Sequence, residues 1–563
     1  MFSVPDEYAS LLASIENGMA VLVAGAGVSR GSGLPTVDDL VRLALEPILA
    51  SCTVTEETKA IVAADAPHRL RFEVLMEILT EILGELRGLA PLCLLEGGVP
   101  GPVHRLGAAL VAQGNNIITT NFDELFEVAL KADGTPAMVI SSDEDVRIRS
   151  RAHSSVIKIH GSVTRASSAA ATIRRVGCGL TQLMVESARG ILAGRTIVVM
   201  GYSGRDYCTL MPLLLEQSVG PIAWFDHSFG GEQSRQGRTI QQLLKGRRES
   251  RYVLEDTASV ATRLGVAIGV TNQAHPSEQL RARTDRRVVS YDLLLANEAN
   301  LIVAGVLENL GYSKRAYEVY GQPVERDTRT LTLFNLHCGR LEARGVDGIA
   351  FECTALKHMN QAAALAEKFG YTRLERLANV ERWRLLAQQC TIWELTSTDV
   401  AGERNAAILM TNLYISIAMS EGDGELADRA LECQLWLIID KSQEVGNWVV
   451  KEYENLCGIM ECNGGHMHLS RCYHELGLLK FSEGDVAGAL LSELARLRSL
   501  LLIEADSTAA SVQACLGCIA NLMRKLNNRS TEWIGAVSEL NKFGVAEEVQ
   551  RMVMTTGESQ DTE

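Results

Sequence analysis

The run Val21-Leu22-Val23-Ala24-Gly25-Ala26-Gly27-Val28-Ser29 constrains this chain more than any other stretch. Its apolar half reads as a buried strand, and the glycines behind it let the backbone turn sharply and approach a ligand closely. A pyrophosphate at such an exit is met by backbone amides and the start of a helix. The run continues into Gly31-Ser32-Gly33-Leu34-Pro35. No Gly-Lys-Ser/Thr closes it, so it is not a Walker A loop, and its spacing departs from the usual Gly-x-Gly-x-x-Gly fingerprint. Taken alone, the segment also fits a tight strand-to-helix turn that holds no ligand.

Four further Val/Ile-rich runs, Asn116 to Thr120, Val156 to His160, Thr196 to Met200 and Pro221 to Phe225, alternate with helix-length sequence up to about His275. That alternation predicts an α/β, Rossmann-like parallel sheet with helices on both faces. Ser228 to Arg251, rich in Gly, Gln, Ser and Arg, reads as a surface excursion. From about Ser290 the texture turns to Leu, Ala and Glu with few β-branched clusters, which predicts an all-α half. Helices are expected near 285–310, 328–344, 347–368, 373–389, 403–419, 426–442, 469–481, 486–504, 511–525 and 533–541. The chain thus divides into residues 1–275 and 276–563. The second part resembles tetratricopeptide-like repeats locally, through Leu476-Gly477, Leu479 and Ala489 around the Gly484-Asp485 turn, although no 34-residue period runs through it. A compact helical bundle is the alternative.

Composition excludes several roles. Among 563 residues, 69 acidic against 54 basic give a net charge of −15, which argues against general attraction to nucleic acid or an anionic bilayer. The amino terminus lacks the basic and apolar regions of a secretory signal, and no apolar run approaches the roughly 20 residues of a bilayer span, so a cytoplasmic protein is expected. The 13 cysteines are spread like reduced core thiols. The cluster Cys457, Cys462, His466, His468, Cys472 and the pair Cys515/Cys518 match no common zinc finger, and no metal is expected.

Three other elements follow predicted strands: Thr119-Thr120-Asn121-Phe122-Asp123, Lys158-Ile159-His160-Gly161 and Gly201-Tyr202-Ser203-Gly204-Arg205-Asp206. Residues just past the carboxyl ends of parallel strands converge on one crevice. With Gly-Ala-Gly-Val-Ser and Ser-Gly-Leu-Pro, these motifs make the chain resemble the sirtuin superfamily, in particular the bacterial SIR2-like branch of antiphage defence proteins. The resemblance runs from Ala20 to near Asp226.

By that resemblance, NAD+ is the ligand and substrate. Ala24, Gly25, Ala26, Gly27 and Ser29 would cradle its phosphates, with Gly33, Pro35 and Thr120 completing the binding set. Asn121 and Asp123 would contact the nicotinamide ribose, His160 would be the catalytic histidine, and Gly201 and Ser203 would line the adenosine side. Arg30 is a candidate for the phosphate side. Asp206 either caps a helix or binds the ligand, and Asp226 either contacts the adenosine ribose or is a loop residue. Asn121 and Asp123 are also residue types that cap helices well.

The chain departs from the protein deacylases of that superfamily. Only Cys178 and Cys208 stand where those enzymes carry two Cys-x-x-Cys pairs, and Pro35-Thr36-Val37-Asp38 replaces Pro-Asp-Phe-Arg. The expectation is therefore an NAD+ glycohydrolase releasing nicotinamide and ADP-ribose. The resemblance further implies a phage protein as trigger and abortive infection as outcome; the helical half is expected to sense a partner or to hold a homo-oligomer. The alternatives are a non-catalytic sensor of NAD+ or an ADP-ribose derivative, and a deacylase or ADP-ribosyltransferase.

Overall fold

The computed structural model describes residues 8–148, 154–165, 168–177, 179–204, 206, 209–226, 240–241, 244, 247, 249–270, 289–291, 294–321, 328–343, 353–390, 398–421, 426, 429–430, 433, 450–451, 454, 457–458, 466–503, 510–528 and 530–555. Seven strands, β1 Ala20–Ala24, β2 Asn116–Thr119, β3 Met138–Ile140, β4 Ser155–Lys158, β5 Thr196–Met200, β6 Ile222–Asp226 and β7 Arg251–Leu254, form one sheet. Every pairing is parallel, and the order is β3-β4-β2-β1-β5-β6-β7.

Alternation along the strands builds two cores. Val21, Val23, Ile118, Ile157, Ile197, Val199 and Trp224 face one side, while Ala20, Leu22, Ile117, Val156, Val198, Met200 and Phe225 face the other. Both faces are buried, which is why these strands read as continuous apolar runs. Two strands escape the sequence reading. β3 has three residues and β7 is partly exposed, and both lie at sheet edges, where no two-sided burial enriches the run. The expected excursion at Ser228 to Arg251 is corrected in part: Ile240 and Leu244 are buried against the sheet, and Arg251 opens β7. Residues 227–239 lie outside the described residues.

The longer helices of the first half are α1 Ala9–Glu16, α2 Val37–Ser51, α3 Glu56–Arg69, α4 Phe72–Leu83, α5 Pro102–Ala112, α6 Leu125–Ala132, α7 Gln182–Leu192 and α8 Thr257–Ala267. Helices α1, α5, α6 and α8 cover the Leu22 face, and α7 covers the Val21 face. Then follow α9 Ala296–Asn309, α10 Ser313–Tyr320, α11 Thr328–Ala343, α12 Cys353–Phe369, α13 Thr372–Cys390 and α14 Thr398–Glu421. The last described group is α15 His466–Ser482, α16 Val486–Ile503, α17 Ala510–Arg524, α18 Thr531–Lys542 and α19 Ala546–Thr555. Two of them, α10 and α19, were not anticipated by the helical pattern, and most of the helix expected at 426–442 lies outside the described residues.

Helices α2 to α4 belong by packing to the helical half. One apolar core joins Leu45, Ile48, Leu75 and Leu79 with Leu301, Ile302, Val306 and Phe334. Polar ties reinforce it: Arg87 pairs both oxygens of Glu298 at 2.9 Å, Asn300 Oδ1 accepts Thr53 N–H at 2.9 Å, and Tyr312 OH donates to Asp65 at 2.7 Å. The crossover from β1 to β2 therefore leaves the sheet, joins the helical core, and returns as α5.

Consecutive helices of the second half pack on one another, notably α11 on α12 and α15 on α16. The α15–α16 turn uses Gly484 at φ +84, and Gly477 of α15 faces the Ala489 carbonyl, where a β-carbon would make an ordinary 3.5 Å contact. Cys457 and Cys472 are buried beside Leu469 and Leu476, and Cys515 lies in the core of α16 to α19. Cys462 lies outside the described residues. Among the described residues no helix is long and apolar enough to cross a membrane.

Candidate functional site

Four adjacent strands deliver the motif residues to one edge of the sheet. Thr119 of β2 registers with Ala24 of β1 and with Lys158 of β4, and Ala24 registers with Met200 of β5. Asn121 and His160 each stand two residues beyond the Thr119–Lys158 pair, on neighbouring strands spaced by about 4.8 Å. Backbone bonds continue past the strand ends, with Thr120 N–H donating to Ala24 O and Ile159 N–H to Thr119 O.

The glycine exit of β1 is packed backbone to backbone on the exit of β5. Gly27 N–H donates to Gly201 O at 2.9 Å, and Gly25 N–H to Met200 O at 3.2 Å. A β-carbon on Gly25 would stand 2.6 Å from Gly201 O, and one on Gly201 2.4 Å from Val28 N. Gly201 also holds φ +62, a left-handed conformation that glycine adopts without penalty. Loop-to-loop packing thus demands these glycines. The helix start expected directly behind them is a single 3-10 turn, Ala26–Ser29, and α2 begins only at Val37. Thr36 caps α2 by accepting Asp39 N–H, and α2 then departs into the helical core.

Ser29 is the hub of a buried polar cluster. Its hydroxyl donates to Asp123 Oδ2 at 2.8 Å and accepts from Asn121 Nδ2 at 3.1 Å. His104 Nε2 lies 3.4 Å from the same oxygen. Asp123 Oδ1 accepts Leu125 N–H, so Asp123 also holds the first turn of α6. Asn121 is 5% exposed, and its buried Oδ1 has no hydrogen-bond partner among the described residues. An orphaned buried acceptor costs about 1–3 kcal/mol, so this carbonyl is suited to a donor supplied by a ligand.

His104 is the member of this cluster that the sequence reading missed. It lies in the first turn of α5, fully buried, and Gly101 N–H donates to its Nδ1 at 3.0 Å. Burial pushes its pKa down to about 4, only partly opposed by Asp123. The ring packs edge-on against Phe126 at 4.8 Å.

His160 is anchored through one nitrogen. Nε2 lies 3.0 Å from Thr209 Oγ1 and 3.4 Å from Asp206 Oδ2, and the ring faces Phe122 at 6.2 Å between centroids. Asp206 also accepts Thr209 N–H at 3.0 Å and Leu210 N–H at 3.1 Å, capping the short helix Leu210–Leu214. Of the two readings of Asp206 the helix-capping one describes these bonds, and the same carboxylate lies against His160. Burial alone would raise the Asp206 carboxyl, but His160, the Thr209 hydroxyl and Leu210 N–H outweigh it and hold it at about 2.

Lys158 clamps the two loops together. Fully buried, its ammonium reaches Phe122 O at 3.2 Å, Asp123 O at 2.5 Å, Ser162 Oγ at 3.1 Å and Glu127 Oε1 at 2.8 Å. The remaining expected residues surround this centre without joining it. Ala26, Arg30 and Ser203 are exposed, Gly33 turns at φ +80, and Pro35 and Thr120 are half-buried. Asp226, at the end of β6, accepts from Tyr252 OH at 2.6 Å and stands four strands from His160. Cys178 and Cys208 lie outside the described residues, and among the described residues no group of three or more His, Cys, Asp or Glu is placed to hold a metal.

Asn121, Asp123 and His160 are thus gathered at the carboxyl edge of a parallel sheet. Residues 115–213 match the model of the SIR2-like domain. That stretch is thus similar to the SIR2-like domain, which is commonly an NAD-utilising enzyme fold. No curated protein is significantly similar to the chain. The SIR2-like match holds Asn121, Asp123, Lys158, His160 and Asp206, whereas the glycine exit of β1 and His104 precede it.

The Asp206 carboxylate at this sheet edge has a testable linkage to pH. Its folded value of about 2 lies below the ordinary 3.8, so its contribution is complete above about pH 4 and lost as pH falls through about 2. Asp206→Asn is expected to cost about 2 kcal/mol at pH 7. Urea unfolding of both proteins between pH 7 and pH 2 should show that difference shrinking towards zero; a constant difference would refute the depressed carboxylate.

Proposed function

We propose that this chain is an NAD+ glycohydrolase that adds water across the nicotinamide–ribose bond, giving nicotinamide and ADP-ribose. The observation that carries the proposal is the buried, unpartnered Asn121 Oδ1, held at the same sheet edge as the singly anchored His160. Breaking the C–N bond develops positive charge on the ribose, and a dry pocket that aligns the reacting groups lowers that barrier. Asn121 Oδ1 would accept a hydrogen bond from a ribose hydroxyl or the attacking water. His160 would take the proton through Nδ1, which has no hydrogen-bond partner among the described residues. Asp123 and Ser29 would hold Asn121 in place. The exposed turn at Ala26 would face the phosphates, with Ala24, Gly25, Gly27, Arg30, Gly33, Pro35 and Thr120 around it. Gly201, Ser203 and Asp226 would lie on the adenosine side.

Uncontrolled NAD+ hydrolysis would starve the host, so the activity would be gated. The proposed gate is the helical half, with its tetratricopeptide-like pairs, responding to a phage protein in the cytoplasm through homo-oligomer assembly and causing abortive infection. A contact from the start of α4 to the last group of helices supports it. Arg71, just before α4, donates to Leu501 O at 3.1 Å and Leu502 O at 2.6 Å near the end of α16. The Glu73 carboxyl, despite burial, is held below its usual range by Arg71, with His160 contributing. The proposed division at residues 275/276 is one of chain order, since α2 to α4 pack with the helical half.

The test is product analysis of NAD+ incubated with the full chain, with and without extract from infected cells. Nicotinamide and free ADP-ribose in equal amounts support the proposal. An acetylated ribose product would assign a deacetylase, and tight retention of intact NAD+ without turnover under both conditions would assign a sensor.

A further inference from the structure

We propose that Ser29 and His104 are positioning residues that fix the polarity of Asn121, so that it presents its carbonyl, and never its NH2, to the ligand. The argument starts at Asp123, whose two oxygens both receive donors: Ser29 O–H on Oδ2 and Leu125 N–H on Oδ1. With its only proton committed there, the Ser29 oxygen can act towards its other neighbours solely as an acceptor. Asn121 must therefore turn its NH2 to Ser29, and its Oδ1 points away, buried and unpartnered.

His104 supplies the second donor to the same oxygen. Because Gly101 N–H donates to Nδ1, the neutral ring carries its proton on Nε2, which faces Ser29 Oγ at 3.4 Å. Ser29 thus makes one donated and two accepted bonds and has no capacity left for a ligand. The group that meets Asn121 is consequently a hydrogen-bond donor, a ribose hydroxyl or a water. The inference rests on the proposed reading of Asn121 as the ligand-facing amide, but the direction of the relay does not depend on which nucleotide binds.

Two measurements separate these points. In the full chain labelled with 15N at asparagine, the Asn121 side-chain NH2 signal is identified by its loss in Asn121→Ala. Without ligand, its exchange with solvent is expected to be at least about 10-fold slower in the wild type than in Ser29→Ala, with His104→Phe in between. Equal exchange in wild type and Ser29→Ala overturns the relay, and a folded His104→Phe that exchanges like wild type removes His104 from it. Calorimetry with ADP-ribose then reads the coupling. Ser29→Ala is expected to weaken binding about 10-fold, yet to add nothing in the Asn121→Ala background, which a merely structural serine would not do. Additive losses overturn the relay. If neither NAD+ nor ADP-ribose binds the wild type, the nucleotide reading of the site fails, and the exchange result still decides the relay.

Discussion

Nicotinamide release from NAD+ is expected to fall at least about 100-fold when His160 is replaced by alanine, the contribution typical of a positioned general base. The direction of the hydrogen bonds around the ring underlies this. Thr209 Oγ1 donates to Asp206 Oδ2, so its lone pairs accept the proton on His160 Nε2. That arrangement fixes the tautomer and leaves Nδ1 as the basic nitrogen, in the way a carboxylate orients a catalytic imidazole elsewhere. Wild type and His160→Ala should be compared under the same triggering extract, with nicotinamide quantified and folding checked by melting. Equal rates would remove His160 from the chemistry. Asp206→Asn should lower the rate less, because the Thr209 hydroxyl remains to hold the ring.

The largest loss of stability is expected from Lys158→Met. Methionine fills a similar volume but leaves the Phe122 and Asp123 carbonyls and the Glu127 carboxylate without the ammonium they share. Breaking a buried ion pair on one side costs about 3–5 kcal/mol, because the surviving charge stays desolvated. Burial already raises the Glu127 carboxyl despite the Lys158 ammonium beside it, so removing the cation makes its protonation easier still. Lys158→Met/Glu127→Gln should therefore recover part of the loss, which urea unfolding of the two single variants and the double variant will measure. Full additivity of the two changes would show that Lys158 and Glu127 act independently. Turnover should fall as well, since the same ammonium joins the loop of Asn121 to the loop of His160.

Much of the sheet was legible in the residues. β1 and β5 match the apolar runs Ala20 to Ala24 and Thr196 to Met200, β2 and β6 differ by one residue at one or both ends, and β4 differs by one residue at its start and two at its end. Asn121, Asp123 and His160 were legible because chemistry at the exits of parallel strands clusters by topology alone. His104 was not. A single histidine after Pro102-Val103 carries no local signal, and its role exists only because the start of α5 meets the exit of β1 across 75 residues. Lys158 reads locally as a polar strand end, although its four partners come from two loops and a helix.

The division of labour between pattern and packing follows from range. A period of two or of 3.6 residues fixes which side of a strand or helix is apolar, and that information is complete within each segment. It says nothing of which apolar side is the partner. So α2 to α4, which chain order assigns to the sheet, share a core with α9 and α11 instead. The same holds for the site. Residue types at the strand exits establish that acids, amides and imidazoles are available, but the direction in which Ser29 gives its proton, the nitrogen on which His160 is anchored, and the depression of the His104 pKa are set by neighbours distant in sequence. Hydrogen-bond direction and desolvation are properties of the assembled environment, and only the folded chain supplies it.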